Sequence, residues 1–283
     1  MGNTSYRLRG GQFAVWLTSE YQSINFSLAA RVKGVFTLDQ FHQALSKLQL
    51  KYPALSMRLE REAPRRVYAV ADTSLEIPIQ IVEREHSHSW VAAVTAELGQ
   101  AFDLLRSAPI RLVWLKGEGV SEIIFTCPHA LADGMSVAYL VRDFLTFLGQ
   151  PNIESEPMQP TPTMSELLPE FAGKQAIVWQ SKLKSVLMRL MLKFGSKPVV
   201  PVEKQASYQL LAWELTPQQT AALIRRCRAE RTTVHAALGA AFLRSFGTFW
   251  GDGWKRKLQS PVDLRKRLTP AVGEDFGLFV NLV

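Results

Sequence analysis

The alternation of strand-like and helix-like segments along this chain predicts a mixed fold, α/β or α+β in class. Three observations carry that expectation. Residues 24–36 (INFSLAARVKGVF) and 109–130 (PIRLVWLKGEGVSEIIFTCPHA) hold the apolar and β-branched runs of strands. Residues 38–52 and 135–149 instead repeat their apolar side chains at helical spacing. Residues that interrupt regular structure stand between and after them: Pro53, the Gly117 and Gly119 pair, and Gly149.

Each element can be justified in order. Thr37 is placed to cap a helix over 38–52, where Leu38, Phe41, Leu45 and Leu48 make one stripe, and Pro53 closes it. Residues 54–62 and 65–72 read as two short strands, with Pro64 in the turn between them. Ser89 opens a short helix that stops near Gly99. Residues 109–130 form a hairpin turning at Gly117 and Gly119, with 122–126 as its second strand, and the HALADG turn leads on to the helix over 135–149. Residues 150–165 (QPNIESEPMQPTPTMS) are a linker or long surface crossing. Helical character follows over 166–193, then residues 207–215 (SYQLLAWEL) read as a strand. Thr216 and Pro217 suit the cap and first residue of a helix, and 233–250 is a second, apolar one. Residues 255–265 read as a strand entering a turn, and 276–283 as a last strand.

Composition narrows the function classes. With 47% hydrophobic residues over 283 positions, the chain can bury a sizeable core, in one large or two medium domains. No run approaches the ~20 apolar residues of a membrane span, and the N-terminus lacks the apolar core of a secretory signal. Cys127 and Cys227 are too few for a disulfide framework, so a reducing, cytoplasmic setting is expected. The net charge of +8 is uneven: residues 1–150 hold 15 basic and 14 acidic side chains, leaving 18 and 11 for 151–283. A basic second half can attract a phosphorylated cofactor or an anionic lipid. No nucleic-acid motif accompanies it, so nucleic acid is not expected as a partner. Residues 174–197 carry six basic side chains and no acidic one beside an apolar stripe. That pattern is open to peripheral contact with a membrane, but a helix packed on the core with solvated lysines is the favoured reading.

The chemistry centres on Cys127-Pro128-His129-Ala130-Leu131-Ala132-Asp133-Gly134. Histidine suits general-base work near neutral pH, and a strand–turn–helix junction places it at the end of a sheet, where ligands are reached. Asp133 can orient it or pair with a cation elsewhere, and Gly134 allows close backbone approach or a positive φ. The spacing alone is a weak signal and favours a structural histidine. Cys127 and His129 lie two apart, as a nucleophile pair would, although a buried free cysteine is the commoner arrangement. His86 and His88 have a spacing open to a metal, but no third ligand stands out and a solvated loop accounts for them, so no metal is assigned. His42 and His235 read as structural.

The HxxxDG motif at a strand–helix junction resembles the superfamily that holds chloramphenicol acetyltransferase and the condensation domains of nonribosomal peptide synthetases. That superfamily also holds polyketide-associated acyltransferases and alcohol acetyltransferases. Further stretches resemble it in the same order: FTLDQFHQALSKLQLKYPALSMRL, AFDLLRSAPIRLVWL, TVHAALGAAFL, and SPVDLRKRL followed by GLFVN. The likeness covers nearly all of the chain from Ile24 onward. It implies a two-lobed fold of the chloramphenicol acetyltransferase kind, with a tunnel between the lobes. The lobes would be 1–150 and 206–283, joined by a linker and basic helix over 151–205. The chain stops at FVNLV where relatives continue, so the second lobe is expected to be incomplete and activity to be impaired by that truncation.

The resemblance also implies roles. His129 matches the catalytic base, Asp133 an aspartate that shapes the site through an ion pair, Arg265 its partner, and Gly134 the motif glycine. Ser136 would be an oxyanion donor at the start of the helix. Pro128 stands where many condensation domains carry a second histidine. The implied function is acyl transfer from a coenzyme A or phosphopantetheine thioester to an alcohol or amine. The acyl-CoA or acyl-carrier-protein thioester would be a co-substrate, with no permanently bound cofactor. The partners would be a small-molecule or lipid-like acceptor and a carrier protein. The alternatives are an amide-forming condensation domain and a catalytically inactive docking or scaffold module.

Overall fold

The capping and turn signals fall at element ends in the computed structural model, which describes residues 5–63, 65–158, 167, 208–250 and 258–282. The described residues form two units. Residues up to Leu210 associate with Leu264–Phe279, and Leu211–Asp263 associate with residues 280–282.

The first unit holds two sheets. The larger has the order β2-β7-β6-β5, from β2 (Asn25–Lys33), β5 (Ile79–Glu83), β6 (Arg111–Lys116) and β7 (Val120–Pro128). β7 is central, pairing antiparallel with β2 and β6 along its length, while β5 joins β6 in parallel. Period-two alternation then sorts the side chains. Leu112, Trp114, Ile123, Phe125 and Cys127 pack with helices α2 (Leu38–Lys51) and α4 (Gly134–Gly149). Val113, Leu115 and Ile124 pack with α3 (Ser89–Gly99) on the opposite face. Both faces of the sheet are covered, which is why β7 is a nearly unbroken apolar run rather than an alternating one.

The local signals have physical counterparts. Thr37 Oγ1 accepts from Gln40 N and the Gln40 side chain accepts from Thr37 N, a closed capping box at the start of α2. The β6–β7 hairpin turns at Gly119, whose φ of 70° favours glycine, and at Gly117, where a Cβ would meet Val120 O at 2.5 Å. The smaller sheet has the order β1-β4-β3, from β1 (Ser5–Arg7), β3 (Met57–Ala63) and β4 (Arg66–Ala71). With α1 (Gly10–Ser19) it encloses Leu8, Trp16, Leu59, Val67 and Ala69, together with Ala130 and Leu131 of the HALADG turn.

The second unit holds α5 (Pro217–Ala229), α6 (Val234–Trp250) and an antiparallel pair, β8 (Pro261–Asp263) and β9 (Val280–Leu282). Thr216 and Gln219 form a second capping box, with Pro217 in the first helical turn. A 3-10 turn, Arg265–Arg267, follows β8.

The sequence reading differs from this structure in several places. β1, α1 and β5 are absent from it: β1 is three residues long, α1 starts at a Gly-Gly pair without a polar cap, and β5 has no clean alternation. The strand expected over 207–215 does not form in the described residues 208–215, because strand-like composition still needs a ladder partner and no described strand pairs with them. Tyr208 is held instead by its hydroxyl donating to Ser23 O at 2.8 Å. The basic stretch 174–197 lies outside the described residues. Among those described, no helix is long and apolar enough to cross a membrane.

Candidate functional site

β7 delivers the site. Its last residue, Pro128, lies opposite Asn25, and His129 follows with its backbone N–H donating to Ile24 O at 2.9 Å. The chain then turns tightly, Leu131 N–H donating to Pro128 O at 3.1 Å, and enters α4 at Gly134.

The His129 ring is half-buried and sits 4.9 Å from the Phe26 ring, centroid to centroid, at a tilt of 47°. Its Nδ1 lies 3.1 Å from Ala132 O. A carbonyl oxygen has no proton to give, so this contact is a hydrogen bond when Nδ1 carries the hydrogen. In the neutral ring that leaves the Nε2 lone pair as the basic position.

Asp133 does different work. Its φ of −115° and ψ of 173° make it the extended N-cap of α4, and Oδ1 accepts from Ser136 N at 2.8 Å. Arg265 meets the same carboxylate as a fork, Nη1 to Oδ2 at 2.9 Å and Nη2 to Oδ1 at 3.0 Å. Phe279 N–H also donates to Oδ2, at 2.8 Å. Both partners are buried, with side-chain exposures of 0% and 3%. A carboxylate committed to these donors is a structural anchor and has no free oxygen to act as an acid or base. Although Arg265 lies 132 positions after Asp133, both belong to the first unit.

Ser136 is enclosed in the same network. Its Oγ accepts from Arg265 Nη2 at 2.8 Å and Gly277 N at 3.0 Å, and its single proton is directed to Gly277 O at 2.8 Å or Asp133 Oδ1 at 3.1 Å. The expected oxyanion role for Ser136 is therefore corrected, because a fully buried hydroxyl with its donor already spent cannot reach a reacting carbonyl. Gly134 differs from expectation as well. Its φ is not positive and no heavy atom lies within 4 Å of where its Cβ would be, so it leaves an exposed space at the mouth of α4 rather than accommodating a close approach.

Other candidates separate from this constellation. Cys127 is fully buried beneath α2 and α4, and burial pushes its thiol pKa well up, which removes it as a thiolate nucleophile. His86 and His88 are exposed, His88 N–H donating to His86 Nδ1 at 3.2 Å. Among the described residues, no group of three or more His, Cys, Asp or Glu is placed to hold a metal ion. His42 is exposed on α2, and His235 Nε2 meets Ser260 Oγ at 2.7 Å in the second unit.

The groups that sequence reasoning missed are mostly backbone. Gly277 O accepts from Asp133 N at 3.1 Å, Phe279 N caps the carboxylate, and Ala132 O orients the histidine. Main-chain groups leave no residue signature, although the FGLFVN stretch after the arginine turn marked where to look.

This fold occurs in solved structures. The first condensation domain of the calcium-dependent antibiotic synthetase, in complex with a substrate analogue, aligns with a TM-score of 0.68 at 15% identity, covering 98% of this chain and 68% of that one. Polyketide synthase associated protein 5 from Mycobacterium tuberculosis aligns with a TM-score of 0.65 at 22% identity, covering 99% and 67%. The condensation domain of the Monacolin K polyketide synthase aligns with a TM-score of 0.63 at 12% identity, covering 99% and 66%. The chain thus spans about two thirds of the length of these structures, whose fold is of the chloramphenicol acetyltransferase kind. No curated protein matches the chain. A family model of the condensation domain does match, over residues 4–283, and the chain belongs to the condensation-domain family.

Proposed function

We propose that this chain carries the acyl-transfer site of a condensation-family protein, with His129 Nε2 as the base. The donor is a thioester, on coenzyme A or on a carrier protein's phosphopantetheine, and the acceptor is an alcohol or amine. One observation carries the reading: the contact from His129 Nδ1 to Ala132 O leaves the basic lone pair on Nε2 of a half-buried ring. In the reaction the acceptor's proton passes to Nε2 as its oxygen or nitrogen attacks the thioester carbonyl. The carbon–sulfur bond then breaks, and the departing thiolate takes the proton from the imidazolium.

Two further observations support it. Condensation domains are acyl-transferring enzymes that work on carrier-bound substrates. The open space at Gly134 adjoins the turn that carries His129 and leaves room for a substrate to approach.

The test is thiol release from acyl-CoA and acyl-carrier thioesters, with candidate alcohols and amines, by the wild type and by His129→Ala. Loss of a base worth 10²–10⁴-fold should leave the variant near background with its unfolding midpoint unchanged. Equal release by the two proteins would favour a docking or scaffold module instead. Gly134→Ala sharpens the result. Alanine is the better helix former and meets nothing there, so stability should rise by up to about 1 kcal/mol. Turnover should fall only if substrate uses that space.

A further inference from the structure

The chain segment that seats Asp133 is held to α4 at a second place. Arg142, on the third turn of the helix, forks onto Glu274, Nη1 to Oε1 at 2.6 Å and Nη2 to Oε2 at 2.5 Å. Arg142 is itself aimed by Asp143, whose Oδ1 accepts from its Nε at 2.8 Å. Asp143 is anchored in turn on α2, its Oδ2 lying 2.5 Å from Lys51 Nζ and accepting from Tyr52 Oη at 2.7 Å. Burial alone would raise the Asp143 pKa, but Arg142, Lys51 and Tyr52 together hold it below the ordinary carboxylate value. A line of charged groups therefore runs from α2 through α4 to residue 274.

Residue 274 is three positions before Gly277, whose carbonyl and N–H hold Asp133 N and Ser136 Oγ. Six residues of helix, from Ser136 to Arg142, rise about 9 Å. The segment is therefore fastened to α4 at two points, by Gly277 near the helix start and by Glu274 six residues further along it. The Tyr139 ring lies between the two fastenings, with the Arg142 guanidinium 5.2 Å from its centroid and that of Arg265 at 5.9 Å.

We propose that the Arg142–Glu274 pair is a positioning element for the His129 site: it sets the register of residues 274–279 along α4, and Gly277 passes that register to the turn that aims the histidine. The relay is short. Gly277 O holds the N–H of Asp133, and the preceding carbonyl, Ala132 O, holds His129 Nδ1. This inference rests on the proposed function for its kinetic effect but not for its geometric one.

The experiment compares the wild type, Glu274→Gln, Glu274→Asp, Arg142→Lys and the Glu274→Gln/Arg142→Lys double variant. The first readout is the ¹⁵N signature of the His129 ring. The wild type should show the Nδ1-protonated tautomer, and Glu274→Gln a mixture of tautomers. The second is steady-state thiol release. Each single loss of the fork should lower kcat by about tenfold, a misplacement effect, with KM within twofold. The double variant should be no worse than the poorer single one, and Glu274→Asp should recover part of the rate. Unfolding midpoints should move little, since both side chains are nearly half exposed. An unchanged His129 signature in Glu274→Gln would overturn the proposal, as would independent effects that multiply in the double variant. If wild type and His129→Ala release thiol equally, the acyl-transfer reading fails, while the ring signature still decides the positioning role.

Discussion

Helix α4 grips residues 264–279 with two arginine–carboxylate pairs of similar geometry in opposite surroundings. At its N-terminus the Asp133–Arg265 fork is sealed from water, and the spare carboxylate lone pairs are met by Ser136 and Phe279. Nine residues after Asp133, Arg142 and Glu274 form a still shorter fork with each side chain 46% exposed. Removing one partner of a buried pair strands a charge that water cannot reach, at about 3–5 kcal/mol. An exposed partner is simply rehydrated, and the pair is worth about 0–1 kcal/mol. The buried fork is thus a condition of folding, whereas the exposed one can tune geometry without endangering it.

The largest effect expected from this contrast is at Arg265. Arg265→Ala leaves Asp133 buried with its charge uncompensated, and should lower the unfolding free energy in urea by about 3–5 kcal/mol. Asp133→Asn keeps the helix cap but strands the buried Arg265 charge, so it too should lower the melting temperature. A loss below about 1 kcal/mol for Arg265→Ala would erase the distinction between the two forks. The intermediate case is Tyr52→Phe. It removes a buried hydroxyl that donates to Asp143, a charged acceptor, and should cost about 1.5–3 kcal/mol. A cost near zero would mean that Lys51 and Arg142 already satisfy that carboxylate.

The contrast also explains what the sequence could reveal. Both capping boxes, the Gly117–Gly119 hairpin and the α2 and α4 stripes depend on neighbours within a few positions, and these elements formed where the local pattern put them. Asp133 and Arg265 stood out only because two motifs of a family sat at the right places in the chain, since 132 positions separate them. Arg142 and Glu274 had no motif to mark them, and an exposed arginine or glutamate looks like any solvated charge. Ser136 was misread for a related reason. Its position at a helix start suits an oxyanion donor, but the groups that consume its hydroxyl come from residues 265 and 277, which local reasoning cannot place. The strand expected over 207–215 is missing from residues 208–215 because strand-forming composition does not supply a ladder partner.

The smallest effect is in the exposed fork, and pH isolates it. Hydrogen bonds from Arg142 hold the Glu274 carboxyl below its ordinary value. A pKa lowered by folding stabilises the protein at pH values above the unfolded pKa, and that stabilisation is lost as pH falls through the lower, folded one. Wild type should therefore exceed Glu274→Gln in unfolding free energy by no more than about 1 kcal/mol at pH 7. The gap should begin to shrink near pH 4, where unfolded glutamate takes up its proton, and close once the folded carboxyl is protonated as well. Raising the salt to 1 M, where charges are screened within about 3 Å, should shrink the gap at pH 7 and leave the deficit of Arg265→Ala almost untouched. If the Glu274→Gln gap stayed constant from pH 7 to pH 3, its source would be packing and not charge, and the exposed fork would have to be grouped with the buried one.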